Sequence, residues 1–193
     1  MIYIPLGTTC SIAYNLKKYN LRKATYPFDW IRINNLNNVS KLLNNNFDNF
    51  LNFDKFKFKK ISNKFMVNNN MESYIYSNDY CTFFHEFNSH KIDNQDFINK
   101  YKRRINRLYE LLRLHNQITF IREEFGQIKI NKIKCFIDAL KKINNNMKYQ
   151  IIIITNDLNY RELKINNVTF YYSNKKIQEW QRPELDWKEI FNI

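Results

Sequence analysis

The sequence predicts a single α/β domain spanning residues 1–193, with a mostly parallel central sheet flanked by helices. Three observations carry this expectation. The last third of the chain alternates strand-like and helix-like patterns, and its strand segments are near-continuously apolar, as strands covered on both faces must be. The length of 193 residues, 44% of them hydrophobic, is enough for one substantial core.

Taken in order, residues 2–6 read as a short buried strand and residues 11–19 as a helix with Ile12, Leu16 and Tyr19 on one face. Gly7, Thr8, Thr9 and Cys10 form the turn between them. The block Tyr26, Pro27, Phe28, Asp29 and Trp30 breaks the helix at its proline and gathers large aromatics around a lone carboxylate. Residues 34–72 are asparagine-rich and read as an irregular insertion, with a helical piece at 39–43, an aromatic-basic alternation at 53–59 and an exposed loop at 68–70. Residues 74–76 and 80–84 alternate with period two around a polar turn, a hairpin-like pair leading to His85. Beyond Asp93, a residue type that caps helices, Phe97, Tyr101, Ile105, Leu108 and Leu112 recur every three to four positions in the longest helix, about 20 residues. There follow a strand at 117–122, a helix at 130–143, strands at 149–155 and 168–172, and a last helix at 184–191 behind Pro183.

Composition excludes several functions. Gly7 and Gly126 are the only glycines, too few for a glycine-rich dinucleotide or phosphate loop. No apolar run approaches the roughly 18 residues of a membrane span, so no membrane partner is expected. Lysine and arginine outnumber aspartate and glutamate 31 to 18, and the resulting +13 attracts polyanions. The chain also holds 31 asparagines, with isoleucine, lysine, phenylalanine and tyrosine in excess. All five are encoded by A/T-rich codons, so nucleotide bias accounts for much of the basicity. The densest basic cluster, Lys100, Lys102, Arg103, Arg104 and Arg107, reads as the solvated face of a helix. Cys10, Cys81 and Cys135 are odd in number and widely spaced, which fits reduced thiols in a cytoplasmic compartment rather than disulfides or zinc. His85 and His90 have no companion ligands, and neither a metal nor another cofactor is expected. The first residues lack a basic leader and a cleavage site, and read as the first strand rather than a signal.

Ligands of open α/β sheets bind beyond the carboxyl ends of the strands. Three predicted strands end in reactive or polar residues: the first in Thr8, Thr9 and Cys10, the next in Arg122 and two glutamates, the third in Thr155, Asn156 and Asp157. As parallel neighbours they would bring a thiol, a guanidinium and an amide-carboxylate pair to one rim. The bland alternatives are a packed cysteine, a surface ion pair and a turn or helix cap. A thiol at a helix start lies near free N–H groups and the positive end of the dipole, which favour thiolate. Cysteine catalysis also needs a base. His85, flanked by Phe83, Phe84 and Phe87, is the best-placed histidine; His90 lies in a polar stretch, and His115 ends a helix. A satisfied structural histidine is the competing reading of His85.

Residues 6–16, with Leu6, Gly7 and Cys10, followed by residues 21–31 with the Tyr26-to-Trp30 block, resemble the opening of an uncharacterised family of proposed papain-like cysteine peptidases. A histidine beside phenylalanines, Phe84, His85 and Phe87, and a strand ending in Arg122 extend the resemblance over most of the chain. The resemblance implies Cys10 as nucleophile and His85 as general base toward a peptide or other acyl-bearing substrate, without a cofactor. It also implies an α+β, papain-like alternative to the parallel sheet. N–H groups near Thr9, Cys10 and Ser11 would receive the oxyanion, with Thr8 and Trp30 also lining the substrate site. Asp29 is the first choice for the group that orients the base, since a carboxylate buried between Phe28 and Trp30 requires a partner. Arg22 or Arg32 could be that partner instead, and Asn156 or Asp157 could take the third role. Arg122 is expected to contact an anionic part of the substrate. Two other classes remain: a basic module that binds nucleic acid, and a nucleotide or sugar-phosphate enzyme that uses the sheet rim without covalent catalysis.

Overall fold

In the computed structural model the strands fall into two four-stranded sheets, one parallel and one antiparallel. The structure describes residues 1–67, 71–92, 95–114 and 117–193, with the side chains of 63–67 and 71 left out. In chain order the elements are β1 (Ile2–Pro5), α1 (Ser11–Lys18), β2 (Ile31–Arg32), α2 (Leu36–Asn44), β3 (Lys57–Val67), β4 (Met71–Ser77) and β5 (Thr82–Phe83). After these come α3 (Gln95–Arg113), β6 (Ile118–Glu124), α4 (Ile130–Ile143), β7 (Tyr149–Thr155), β8 (Val168–Tyr172) and α5 (Trp187–Phe191).

The parallel sheet has the order β1-β6-β7-β8, and its register sets Ile4 beside Phe120 and Phe120 beside Ile151. Alternation along each strand sorts the side chains to two faces. Ile4, Ile118, Phe120, Ile151 and Ile153 join Ile133, Phe136 and Leu140 of α4 on one side. Tyr3, Ile121, Ile152 and Ile154 meet Ile12 and Leu16 of α1 and Trp187, Ile190 and Phe191 of α5 on the other. Burial on both faces is why the isoleucine run of β7 is unbroken by polar residues. The expected parallel sheet flanked by helices is therefore present.

The antiparallel sheet, in the order β2-β5-β4-β3, joins the expected hairpin-like pair, now β4 and β5, to β3 from chain expected to be irregular. Residues 34–72 instead carry α2, whose start is capped by the Asn35 side chain accepting from the Asn37 N–H at 3.0 Å, and the eleven-residue β3. The expected helical piece at 39–43 is the body of α2, which runs longer than expected among asparagines whose propensity favours turns. What marks α2 is the apolar stripe Leu36, Val39, Leu42 and Leu43, all buried. The apolar core runs from Ile4 and Phe120 of the parallel sheet to Tyr76 and Phe83 of the antiparallel one.

The final helix begins later than expected, at Trp187, because Asp186 accepts from the N–H groups of Lys188 and Glu189 and so fixes the first turn there. Asp93, His115 and the loop at Asn68 to Asn70 lie outside the described residues. Asparagine also does work that glycine usually does. Of the seven non-glycine residues with positive φ among the described residues, five are asparagines: Asn20, Asn46, Asn49, Asn167 and Asn192. No helix among the described residues is long and apolar enough to cross a membrane.

Candidate active site

The turn from β1 into α1 is shaped by its glycine. Gly7 has φ +72, and a β-carbon there would lie 3.3 Å from both Ile33 Cγ1 and the Phe28 carbonyl oxygen. Its carbonyl accepts the N–H of Ile33, which ties the turn to the segment after β2. Arg122, fully buried, braces the same junction: Nη1 donates to the Leu6 carbonyl at 2.7 Å, Nη2 to the Ile33 carbonyl at 3.1 Å, and Nε pairs with Glu124 at 2.5 Å. A guanidinium fixed in this way holds the rim together, and Arg122, for which a substrate contact was expected, is off the lining of the cavity.

Cys10 is the N-cap residue of α1, with no side-chain cap bond of its own. Its Sγ lies 3.8 Å from Nε2 of His85, a residue 75 positions away that follows β5. The two sheets thus meet at this pair. Burial pushes the Cys10 thiol up to about 11, against the opposing pull of the Arg32 guanidinium and with a smaller upward push from Asp29. Burial also lowers the His85 imidazole below its ordinary value, against the charge of Glu86. Burial thus favours the protonated thiol and the uncharged ring, and the ring tautomer sets which of Sγ and Nε2 donates. Desolvation therefore favours a neutral resting pair over the expected thiolate, against the pull of the helix end and Arg32.

A cavity of about 960 Å³ opens over the pair. Thr8, Thr9, Cys10, Trp30 and His85 line it. The Trp30 ring meets His85 edge-on at 6.4 Å, and Arg22 stacks 5.2 Å from the centre of the Trp30 ring. Ser11 is fully buried beneath the turn, its hydroxyl 2.6 Å from that of Thr9. Its side chain is accordingly internal to the turn; only its N–H, at the first helical position, lacks an intrahelical carbonyl.

Asp29 is buried beside the pair, and its carboxylate accepts from Arg22 Nη2 at 2.8 Å, Arg22 Nε at 3.1 Å and the Tyr26 N–H at 3.2 Å. Burial still raises its carboxyl to about 6 despite Arg22. These bonds fit the structural alternative, with Arg22 as the partner, and leave Asp29 off the lining of the cavity. Asn156 and Asp157 also lie off the lining of the cavity. Asn156 Oδ1 accepts from the Gly126 N–H at 3.0 Å and Asp157 Oδ2 from the Ile128 N–H at 2.8 Å, so both fasten the loop after β6.

Several lining residues have no warning in the sequence. Phe125, Ile177, Trp180 and Arg182 come from loops far apart in the chain. Lys100 and Arg104 belong to the basic cluster expected to be a solvated face, yet one turn apart they both pair with the nearly buried Glu86 and line the cavity, while Lys102 and Arg103 stay exposed. Their four-residue spacing on an apolar-striped helix was the available signal. Glu123, buried at the end of β6, accepts the Thr9 hydroxyl at 3.0 Å and pairs with Arg182. Among the described residues no group of histidine, cysteine and carboxylate side chains is arranged to hold a metal.

Residues 1–159 match the family described as "Putative papain-like cysteine peptidase (DUF1796)", and the chain belongs to that family. It is also similar to the uncharacterized protein R408 of Acanthamoeba polyphaga mimivirus, with 33% identity over 215 aligned residues that cover 98% of this chain and 96% of that protein. No solved structure matches it.

Proposed function

We propose that the protein is a cysteine-dependent hydrolase or acyl transferase in which Cys10 attacks the acyl carbon and His85 moves the protons. The observation that carries this reading is the 3.8 Å approach of Cys10 Sγ to His85 Nε2 at the floor of an open cavity. Family membership supports it.

Because the resting pair is neutral, attack and proton transfer are coupled. As the sulfur–carbon bond forms, the Sγ proton passes to Nε2, and the carbonyl oxygen takes the negative charge beside the N–H groups of the first turn of α1. The imidazolium then gives that proton to the leaving amine or alkoxide, and the acyl group remains as a thioester on Cys10. Water or another acceptor, deprotonated by His85, attacks the thioester and returns the proton to sulfur. Asp29 acts on the pair only through its charge and by holding Arg22 behind Trp30.

The test is alkylation with iodoacetamide at neutral pH, read site by site by peptide mass mapping. Cys10 is expected to react faster than the exposed Cys135, and to lose that advantage in His85→Ala. Equal rates at Cys10 and Cys135 in the native chain, or a rate at Cys10 that ignores His85, would overturn the proposal.

A further inference from the structure

We infer that the wall of the cavity formed by β2 and α3 is a subsite for an anionic group of the substrate, a carboxylate or a phosphate, gripped by Arg32 and Arg104. This rests on the reading of Cys10 and His85 given above and names the class of acyl compound they act on.

Arg32 lines the cavity, is exposed, and has its guanidinium carbon 4.8 Å from the centre of the Phe84 ring, a cation–π contact. Among the described residues it has no carboxylate partner. Its charge is felt at Cys10. Arg104 is stacked 5.0 Å from the centre of the Tyr101 ring, and its Nη1 is buried with no hydrogen-bond partner. The nearest carboxylate oxygen, Glu86 Oε1, stands 3.6 Å from it and already accepts the Tyr101 hydroxyl at 3.0 Å, while Oε2 is taken by Lys100. One carboxylate thus faces two cations, and with Arg32 this wall carries two positive charges without a counter-ion.

The other carboxylates near the site do not cancel that excess. Asp29 is held by Arg22, and Glu123 and Glu184 both engage Arg182. Glu179 lines the cavity too, but from the exposed segment between β8 and α5. Guanidinium groups lodged over aromatic rings, with N–H groups left unpartnered, suit the planar fork of a carboxylate or the oxygens of a phosphate. An anion fixed there would orient the acyl carbon over Cys10.

The experiment compares iodoacetate with iodoacetamide on the intact chain. The two reagents offer the same electrophilic carbon and differ in one negative charge, and Cys135 serves as the internal reference. The ratio of iodoacetate to iodoacetamide rates at Cys10 is expected to exceed that at Cys135 by about tenfold at low salt and to shrink as salt screens it. Arg32→Gln should remove most of the excess; Lys102→Gln, the same charge change on an exposed side chain of α3, should not. Protection of Cys10 from iodoacetamide by succinate or by inorganic phosphate then tells which anion the subsite takes. Equal ratios at the two cysteines, or an excess indifferent to Arg32→Gln, would overturn the inference. The iodoacetamide rate in His85→Ala judges the thiol–imidazole pair separately, so the two readings fail independently.

Discussion

Arg182, eleven residues from the end of the chain, forms an interior ion pair with Glu123 at the end of β6. The second oxygen of that carboxylate accepts the hydroxyl of Thr9, the neighbour of Cys10. The segment after β8 is therefore fastened to the turn that presents the thiol. Removing one member of a buried pair strands the other. Glu123→Gln is expected to lower stability by roughly 3 kcal/mol, with Glu123→Gln/Arg182→Met less destabilised than the sum of its single changes. Urea unfolding of the four proteins measures this; strictly additive losses would show that the pair is not coupled.

The neutral state of Cys10 and His85 has a signature in pH. His85 sits below its ordinary value because burial penalises its charged form. Its base form therefore persists into mildly acidic solution and is lost only as pH falls below the usual histidine range. Iodoacetamide reaction at Cys10 should stay level from neutral into mildly acidic pH and decline only below the usual histidine range. In His85→Ala the level region should vanish, leaving a rate that climbs toward the thiol value of about 11. A native profile that rises steadily from neutral to alkaline pH would show that the ring takes no proton from the thiol.

Asp29 is predicted to act on stability rather than on the thiol. Its carboxyl is raised to about 6 from an unfolded value of 3.8, so between those values the folded protein holds a proton that the unfolded chain releases. This group's contribution to stability accordingly grows as pH falls through that window. Asp29→Asn should remove this slope, cost on the order of 1 kcal/mol near neutral pH through weaker hydrogen bonds to Arg22 and Tyr26, and leave the Cys10 alkylation rate within about twofold. A hundredfold slower Cys10 with unchanged stability would make Asp29 a partner of His85 after all.

Gly7→Ala should be felt at the thiol. The new β-carbon would meet Ile33 and the Phe28 carbonyl at 3.3 Å from a left-handed backbone. We expect a loss of about 1–3 kcal/mol in unfolding experiments and a slower reaction of Cys10, because the turn cannot keep both its shape and its bond to Ile33. An unaltered Cys10 rate in a destabilised Gly7→Ala protein would separate the glycine's role in folding from its role in aiming the sulfur.

Arg122→Met leaves the carbonyls of Leu6 and Ile33 without their donor. A cost on the order of 3 kcal/mol is expected, since unsatisfied buried acceptors lose more than the bond itself is worth. Thermal unfolding reads it, and a shift of the melting temperature too small to measure would return Arg122 to the list of substrate contacts.

Local pattern alone determined β1, α1, α4, β7 and β8, because a short-range period of apolar residues needs no distant partner to be recognised. The thiol at the start of α1 and the candidate base His85 were legible for a similar reason: each sits at the end of a readable element. Of the second sheet the β4–β5 hairpin was legible but β3 was not, since its lysines interrupt any apolar alternation and it becomes a strand by pairing with β4. Nor did the chain announce which charges would be internal. Arg122 is buried because two carbonyls from different segments converge on it, and Arg104 faces the cavity because Glu86 waits on a neighbouring loop. Desolvation and charge pairing depend on what surrounds a group in space, so the state of Cys10, the partner of Asp29 and the cationic wall at Arg32 were decided by tertiary structure alone.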